Sequence, residues 1–562
     1  MPVQGEGRVR EQEQSGEGRG LAMARRSLPG LLFMILVALV VILIAIQQRT
    51  SGAFTAEFSA TNADEASHYV TGLMLADYVR AGFPAPLAFA RDYYLHYPKV
   101  GIGHWPPLYY VLEGAVFLLF SAATPIALLL PAVLTAVLTV SAAFLAHRRL
   151  GILPGIAVGA ALLALAPLRE TTIVIMLDLP VALLGLLAAL AYARFMETER
   201  WTWSLLFGLL ASAAILTKGT GAALVLLPPL ALLFSGRFAL LRRGVFWLPV
   251  PVVLVLAGPW TLATYSMAAS GFQYAWGATF FEMAARAYAS ALVGAVGVVL
   301  LALAGCGVLF AIRDGWRRTP GAPLFVALAA LGLGFLLFQC LVPAGLDPRY
   351  LVPVLTPLVL LAAFGATRLL GLISKSWPLL TQVVVASILL LAALPAILIP
   401  LAKPTIGMAA AARTVVDGKA QNPLLLVGSD ALGEGALVAA VAQREREMRT
   451  FVLRGSKLLS SSDWNGANYS LQYPDVGALL RGLDDLGVGL VAVDTAPEAQ
   501  KIPHNQQLQA AAVAFPDRFQ ALGTFPRSDG AGEVRLYGLS GNEAKVPDLL
   551  KVRERVMQGK NF

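Results

Sequence analysis

The sequence predicts a polytopic α-helical membrane protein with about eleven spans and a C-terminal soluble α/β domain. Three observations predict it. Of 562 residues, 57% are hydrophobic and 14% charged, well under the roughly 25% charged that soluble domains carry. The apolar residues fall in runs near the roughly 20 residues that cross about 30 Å of hydrocarbon as a helix, the span geometry that satisfies its own backbone hydrogen bonds. Basic residues recur in every second loop between those runs.

Residues 1–24, rich in Gly, Glu, Gln and Arg, have almost nothing to bury and read as a disordered cytoplasmic tail. Leu28 to Ile46 follows Arg25 and Arg26. It is longer than a usual signal core and precedes many further spans, so it reads as an uncleaved first helix. The spans are expected near 28–47, 122–145, 152–168, 174–196, 202–218, 220–235, 245–263, 289–311, 323–342, 350–368 and 377–400. With the tail cytoplasmic, the loops that should be basic are His147-Arg148-Arg149, Arg194 to Arg200, Arg237 with Arg242-Arg243, Arg313 with Arg317-Arg318, and Arg368 with Lys375, and each of them is. The expected location is the inner (plasma) membrane, with the N-terminus cytoplasmic. The opposite, periplasmic or extracytoplasmic side then receives the first loop, 48–121, and everything from 401 to 562.

That last segment reads as α/β. Strand-like Pro423 to Val427, Thr450 to Leu453 and Val488 to Val493 alternate with helical Gly433 to Arg446 and Val476 to Leu486. Gly428-Ser429-Asp430 matches neither the dinucleotide fingerprint nor the P-loop and reads as a structural turn. The net charge of +9 is spread over short loops and forms no single basic stripe, so no nucleic acid partner follows. Cys306 and Cys340 lie inside apolar runs and imply neither a disulfide framework nor a Cys-based metal site.

Ionisable residues near span ends need a partner, water or a task. Asp64, Glu65, His68, His96, Lys99, His104, Asp178, Lys218 and Arg349 all fall on the non-cytoplasmic side. In the first loop, Thr61 to Gly82 reads as an amphipathic helix on the membrane surface, with Val70, Leu73, Met74 and Tyr78 at helical spacing. Asn62 or Asp64 can cap its start, and Asp64 and His68 share a face at i, i+4. A carboxylate there is either a cap or a general base toward an acceptor hydroxyl or amine. Tyr93 to Lys99 and Gly103 to Tyr110 form an aromatic, proline-broken stretch leading into a second surface helix. An interfacial belt explains its aromatics but not Lys99 or His104.

Asp64-Glu65 after the first span, Pro106-Pro107, Leu177-Asp178-Leu179-Pro180, Leu216-Thr217-Lys218-Gly219 and Pro348-Arg349-Tyr350-Leu351-Val352-Pro353 carry a resemblance. Together, over residues 28 to 400, they resemble the protein O-mannosyltransferase and lipid A aminoarabinose transferase group of the GT-C glycosyltransferases. The resemblance implies inverting transfer of a sugar from a polyprenyl-phosphate donor to an envelope acceptor, in a catalytic membrane domain spanning 25–400. Asp64 takes the position of the catalytic base, with Glu65 its neighbour. Lys218 and Arg349 suit the donor phosphate, and His68, Lys99, His104 and Asp178 line the cavity. His104-Trp105 departs from the pattern, in which an acidic residue and a Lys precede the proline. The only cofactor in question is a divalent metal ion, with His104 its candidate ligand.

Two other classes compete: a lipid or sugar transporter or flippase, and a membrane anchor displaying the α/β domain. Clustering of the charges at one face, without a polar track through the span centres, speaks against the transporter.

Overall fold

The computed structural model describes residues 30–373, 377–418, 422–461, 468–543, 545 and 548–557. The expected tail 1–24, Arg25, Arg26 and Lys375 lie outside them. Among the described residues, seven helices are long and apolar enough to cross a membrane: Gly30–Thr50, Thr124–Leu150, Asp178–Thr198, Ala278–Trp316, Ala322–Leu341, Pro348–Ile373 and Pro378–Leu398. Two bent pairs raise the number to nine, Ile152–Ala164 with Ala166–Thr172 at 66° and Gly244–Leu256 with Gly258–Ala269 at 61°. Pro167 and Pro259 open the second helix of each pair, where the missing N–H would be unpaired anyway, and their rings stop the helix before them. The expected spans 202–218 and 220–235 correspond to the shorter apolar helices Trp201–Thr217 and Gly219–Ser235. Every expected span is therefore helical, but two fall short of spanning length.

Pro348–Ile373 runs through the middle of the bundle, whereas Gly30–Thr50 exposes Leu31, Met34, Leu39 and Ile42 on its outer side, as a lipid-facing helix should. Close approach of Ala278–Trp316 and Pro348–Ile373 depends on two glycines. A Cβ at Gly307 would sit 2.1 Å from the Leu361 carbonyl oxygen, and one at Gly365 2.1 Å from that of Leu303. The basic loops meet at one end of the bundle. Arg243 pairs with Glu199, Arg368 with Asp314, Arg237 donates to the Met196 carbonyl, and Gly321 lies against Arg149.

The first loop differs from its expected form. It folds into three helices, Ala63–Arg80, Pro86–His96 and Leu108–Leu119, with Pro86 at the start of the one the aromatic stretch conceals. Nor does the first of them lie free on a membrane surface. Ala66, Tyr69, Val70, Thr71, Leu73 and Ala76 are buried around most of its circumference, between Leu108–Leu119 and the helix Ala431–Arg444 of the C-terminal region. The loop expected over 264–288 shrinks to 270–277, because the flanking helices extend to Ala269 and from Ala278.

The C-terminal region holds a five-stranded sheet of β1 (Leu424–Gly428), β2 (Phe451–Arg454), β5 (Leu490–Asp494), β6 (Phe519–Pro526) and β7 (Glu533–Leu539), in the order β2-β1-β5-β7-β6. The short strands β3 (Ser460–Ser461) and β4 (Ser470–Leu471) pair separately. β2, β1 and β5 run parallel, and β7 and β6 add antiparallel. After β1, Asp430 caps Ala431–Arg444 by accepting from Gly433 N at 2.9 Å, and Ser429 donates to Asp494 at 2.6 Å, so the turn is structural.

This region is joined to the first loop by one continuous apolar core, in which Tyr69, Val70 and Phe117 pack with Met408, Leu437, Val438 and Val441. Polar contacts fix the seam. Glu57 accepts from Ile406 N at 2.9 Å and Ala409 N at 3.0 Å. Tyr97 donates to Glu445 at 2.6 Å, and Gln443 donates to the Ala122 carbonyl and the Thr124 hydroxyl, each at 3.2 Å.

Candidate active site

The site is built at the helix and loop ends opposite the basic loops. Asn62 caps Ala63–Arg80 with its side chain accepting from Asp64 N at 3.0 Å, which frees the Asp64 carboxylate in the first turn. It meets Arg349, carried on the turn Pro348–Leu351 that opens the central helix; Arg349 Nη2 lies 2.6 Å from Asp64 Oδ2. The guanidinium also donates to Asn62 Oδ1 at 3.1 Å and reaches Met176 Sδ at 3.0 Å, while its Nε lies 3.1 Å from Asp347 Oδ2.

A second pair stands beside the first. Asp178 opens the helix Asp178–Thr198, where the helix dipole favours an anion, and Lys218 follows the last turn of Trp201–Thr217 in extended backbone. Their Nζ and Oδ1 are 2.6 Å apart. The Tyr350 ring joins the two pairs, with Lys218 Nζ 4.4 Å and the Arg349 guanidinium 5.4 Å from its centroid. The two carboxylates are not equivalent: the Asp64 side chain is 31% exposed and that of Asp178 1%. Of these two, Asp64 is the more accessible.

Burial alone would raise the Asp64 pKa, but Arg349, His68 and Lys218 outweigh it and hold the carboxyl below its ordinary 3.8. His68, one turn on, is buried, with Nδ1 2.8 Å from the Tyr110 hydroxyl and its ring edge-on to Trp105 at 4.7 Å. Its desolvation drives the pKa down to about 3, so the imidazole is neutral at physiological pH.

The remaining candidates sit apart. Lys99 lies behind the site, donating to the Ala63 carbonyl at 3.3 Å; burial, with Arg454 nearby, pulls its pKa down to about 7. His104 is half-buried, its ring 6.2 Å from that of Trp105. Glu65 turns into the protein, fully buried against Lys403 at 2.6 Å. It is a neighbour of Asp64 in sequence, not in the site. Among the described residues no group of three or more His, Cys, Asp or Glu is placed to hold a metal ion, and both site carboxylates are engaged by cations. No such group forms around His104, the candidate ligand, among the described residues.

Sequence reasoning misses three residues. Tyr350 stands inside the quoted Pro348 to Pro353 run directly after Arg349, a readable signal, but its place beside Lys218 comes only from the fold. Glu113 sits in an otherwise apolar helix with neither carboxyl oxygen hydrogen-bonded, facing Gly72 so closely that a Cβ there would be 2.2 Å from Oε2. Lys403 carries no local signal at all.

Residues 104–262 match the dolichyl-phosphate-mannose-protein mannosyltransferase family model. ArnT from Cupriavidus metallidurans bound to undecaprenyl phosphate superposes with a TM-score of 0.54 at 15% identity, covering 92% of this chain and 99% of that one. The chain has an ArnT-like fold. The apo state of the same ArnT gives 0.56 at 16% identity over the same shares. The archaeal oligosaccharyltransferase AglB from Archaeoglobus fulgidus, in complex with an inhibitory peptide and a dolichol-phosphate, gives 0.51 at 13% identity, covering 92% of this chain and 75% of that one. No curated protein matches the sequence. This ArnT-like fold spans the apolar helices, the helical first loop and the C-terminal sheet as one architecture.

Proposed function

We propose that the chain transfers a sugar from a polyprenyl-phosphate donor to a hydroxyl or amine of an envelope acceptor, lipid, polysaccharide or protein, on the non-cytoplasmic face. The observation that carries the reading is the contact of partly exposed Asp64 with Arg349 at 2.6 Å, with Lys218 on the same Tyr350 ring. A base and two cations thus stand together at the outer ends of spans, the depth at which a lipid-borne phosphate arrives.

In the proposed step Asp64 takes the acceptor's proton as the acceptor oxygen or nitrogen bonds to the anomeric carbon. The bond from that carbon to the phosphate oxygen breaks on the opposite side, so the configuration inverts. The electron pair stays on the phosphate, where Arg349 and Lys218 stabilise the charge that develops. Donor binding loosens the Asp64–Arg349 contact, since the phosphate competes for the guanidinium and leaves Asp64 free to accept a proton. His68 and Asp178 line the site and Lys99 backs it without acting on the reacting bond, while His104 stands apart. Undecaprenyl phosphate bound in one structure of like fold, dolichol-phosphate in another, and the dolichyl-phosphate-mannose family match support a polyprenyl-phosphate donor. The proposed location is the plasma membrane, with the C-terminal region outside the cytoplasm.

Mass spectrometry of envelope glycolipids and glycoproteins with and without the gene tests this. Loss of one sugar from a defined acceptor, with accumulation of a polyprenyl-phosphate sugar, is expected. An unchanged glycome with an unchanged donor pool contradicts it.

A further inference from the structure

The first turn of Ala63–Arg80 carries two carboxylates facing opposite surroundings. Asp64 is open to the site, whereas Glu65 and Lys403 are both 0% exposed. Glu65 Oε1 receives Lys403 Nζ at 2.6 Å and Ile175 N at 3.3 Å, and Oε2 receives Ser59 N at 2.8 Å. Lys403 donates a second time to the Ile173 carbonyl at 3.2 Å, and its own N–H donates to Ser51 O at 2.8 Å. Lys403 belongs to the segment between the last span, Pro378–Leu398, and the helix Met408–Asp417. It is held where a Cβ on Gly52 would come within 2.9 Å of its carbonyl oxygen.

A dry ion pair is a poor source of stability, because desolvating both charges offsets most of their attraction, and apolar replacements often do as well. Its attested use is to specify one geometry over its neighbours. Here the geometry concerns residues 173–178. Ile173 and Ile175 are held by Lys403 and Glu65, Met176 touches the Arg349 guanidinium, and Asp178 pairs with Lys218. One short segment thus receives the buried pair at one end and supplies contacts to both site cations at the other. The same Glu65 fixes the helix turn that presents Asp64.

We propose that Lys403 is a positioning residue: through Glu65 it sets Asp64 opposite Arg349, which makes the segment after the last span part of the catalytic unit. The consequence for turnover rests on the glycosyl-transfer reading, while the geometry does not.

The test uses the full chain with Lys403→Met and with the double change Glu65→Leu/Lys403→Met. Thermal stability, initial transfer rates against donor concentration, and thiol cross-linking are measured for each. The cross-link joins the pair D64C/R349C, introduced after Cys306 and Cys340 are replaced by Ala. Lys403→Met alone strands a buried carboxylate and lowers the Tm. The double change returns the Tm toward wild type, yet kcat stays down by about 100-fold, the cost of a misplacement of order 1 Å, with donor KM nearly unchanged. Cross-linking falls several-fold in both backgrounds. Recovery of kcat along with the Tm in the double variant overturns the proposal, as does cross-linking indifferent to Lys403→Met. If the wild type transfers no sugar while cross-linking still depends on Lys403, the glycosyl-transfer reading falls and the positioning role stands.

Discussion

Arg349 donates to Asp64 at 2.6 Å across 285 residues of chain, joining the helix that opens the first loop to the helix at the centre of the bundle. The contact puts a partly exposed carboxylate of the site against a cation that a phosphate would also seek. In the proposed reaction, donor binding and base activation are coupled through this single guanidinium.

Arg349→Gln is expected to raise donor KM by about 10- to 100-fold, the worth of a charge-assisted hydrogen bond of roughly 1.5–3 kcal/mol. It should also move the acid limb of the pH–rate profile. Burial pushes the Asp64 pKa up and Arg349 is the first of the groups opposing it. Without the guanidinium the folded pKa rises, and since the base must be ionised, activity is lost at a higher pH as the solution is acidified. In the wild type, where the guanidinium holds the carboxyl below its ordinary value, that limb is expected at lower pH than in the variant. Profiles of kcat/KM for the two proteins check both effects.

Glu57→Ala tests the seam between the first loop and the C-terminal region. Its carboxylate accepts from Ile406 N and Ala409 N, and Ile406 is buried. Leaving those donors unpaired costs about 1–3 kcal/mol each where they are buried. The Tm should fall, and fall less in Glu57→Gln, which keeps one acceptor oxygen; an unchanged Tm in the alanine variant contradicts this.

Glu113→Gln probes the carboxyl that faces Gly72. Burial, aided by Glu65, holds the Glu113 pKa well above its ordinary 4.5, so the folded chain keeps it protonated while the unfolded chain ionises it. That contribution to stability is fully present below the unfolded pKa and is lost as pH rises toward the folded one. The neutral amide escapes the loss. Stability of the variant relative to wild type should therefore grow as pH increases above about 4.5, measured by thermal unfolding across a pH series; a pH-independent difference contradicts the assignment.

Much of the site was legible in the sequence for one physical reason. Asp64, Asp178, Lys218 and Arg349 are ionisable groups beside long apolar runs, where each must find a partner, and alternation of basic loops places all four on one face. Chain order hides the rest. Glu65 reads as part of the same acidic pair as Asp64, and only the fold shows that its partner is Lys403 and lies in the protein interior. Val70, Leu73 and Met74 suggest a helix on a membrane surface, but burial of Ala66, Thr71 and Ala76 on its other sides reflects the C-terminal region packed over it, which local periodicity does not encode. Strands β1, β2 and β5 are readable as short apolar runs between helices, whereas β6, with Gln520, Gly523 and Pro526 and an irregular register near Ala521, hides its pairing with β7.

Asp64→Asn decides the proposed chemistry most directly, since the amide keeps an oxygen for Arg349 while removing the base. With purified full-length protein and a polyprenyl-phosphate sugar as donor, transfer should fall by about 10²- to 10⁴-fold while donor binding and the Tm stay near wild type. A variant that transfers at the wild-type rate contradicts Asp64 as the base.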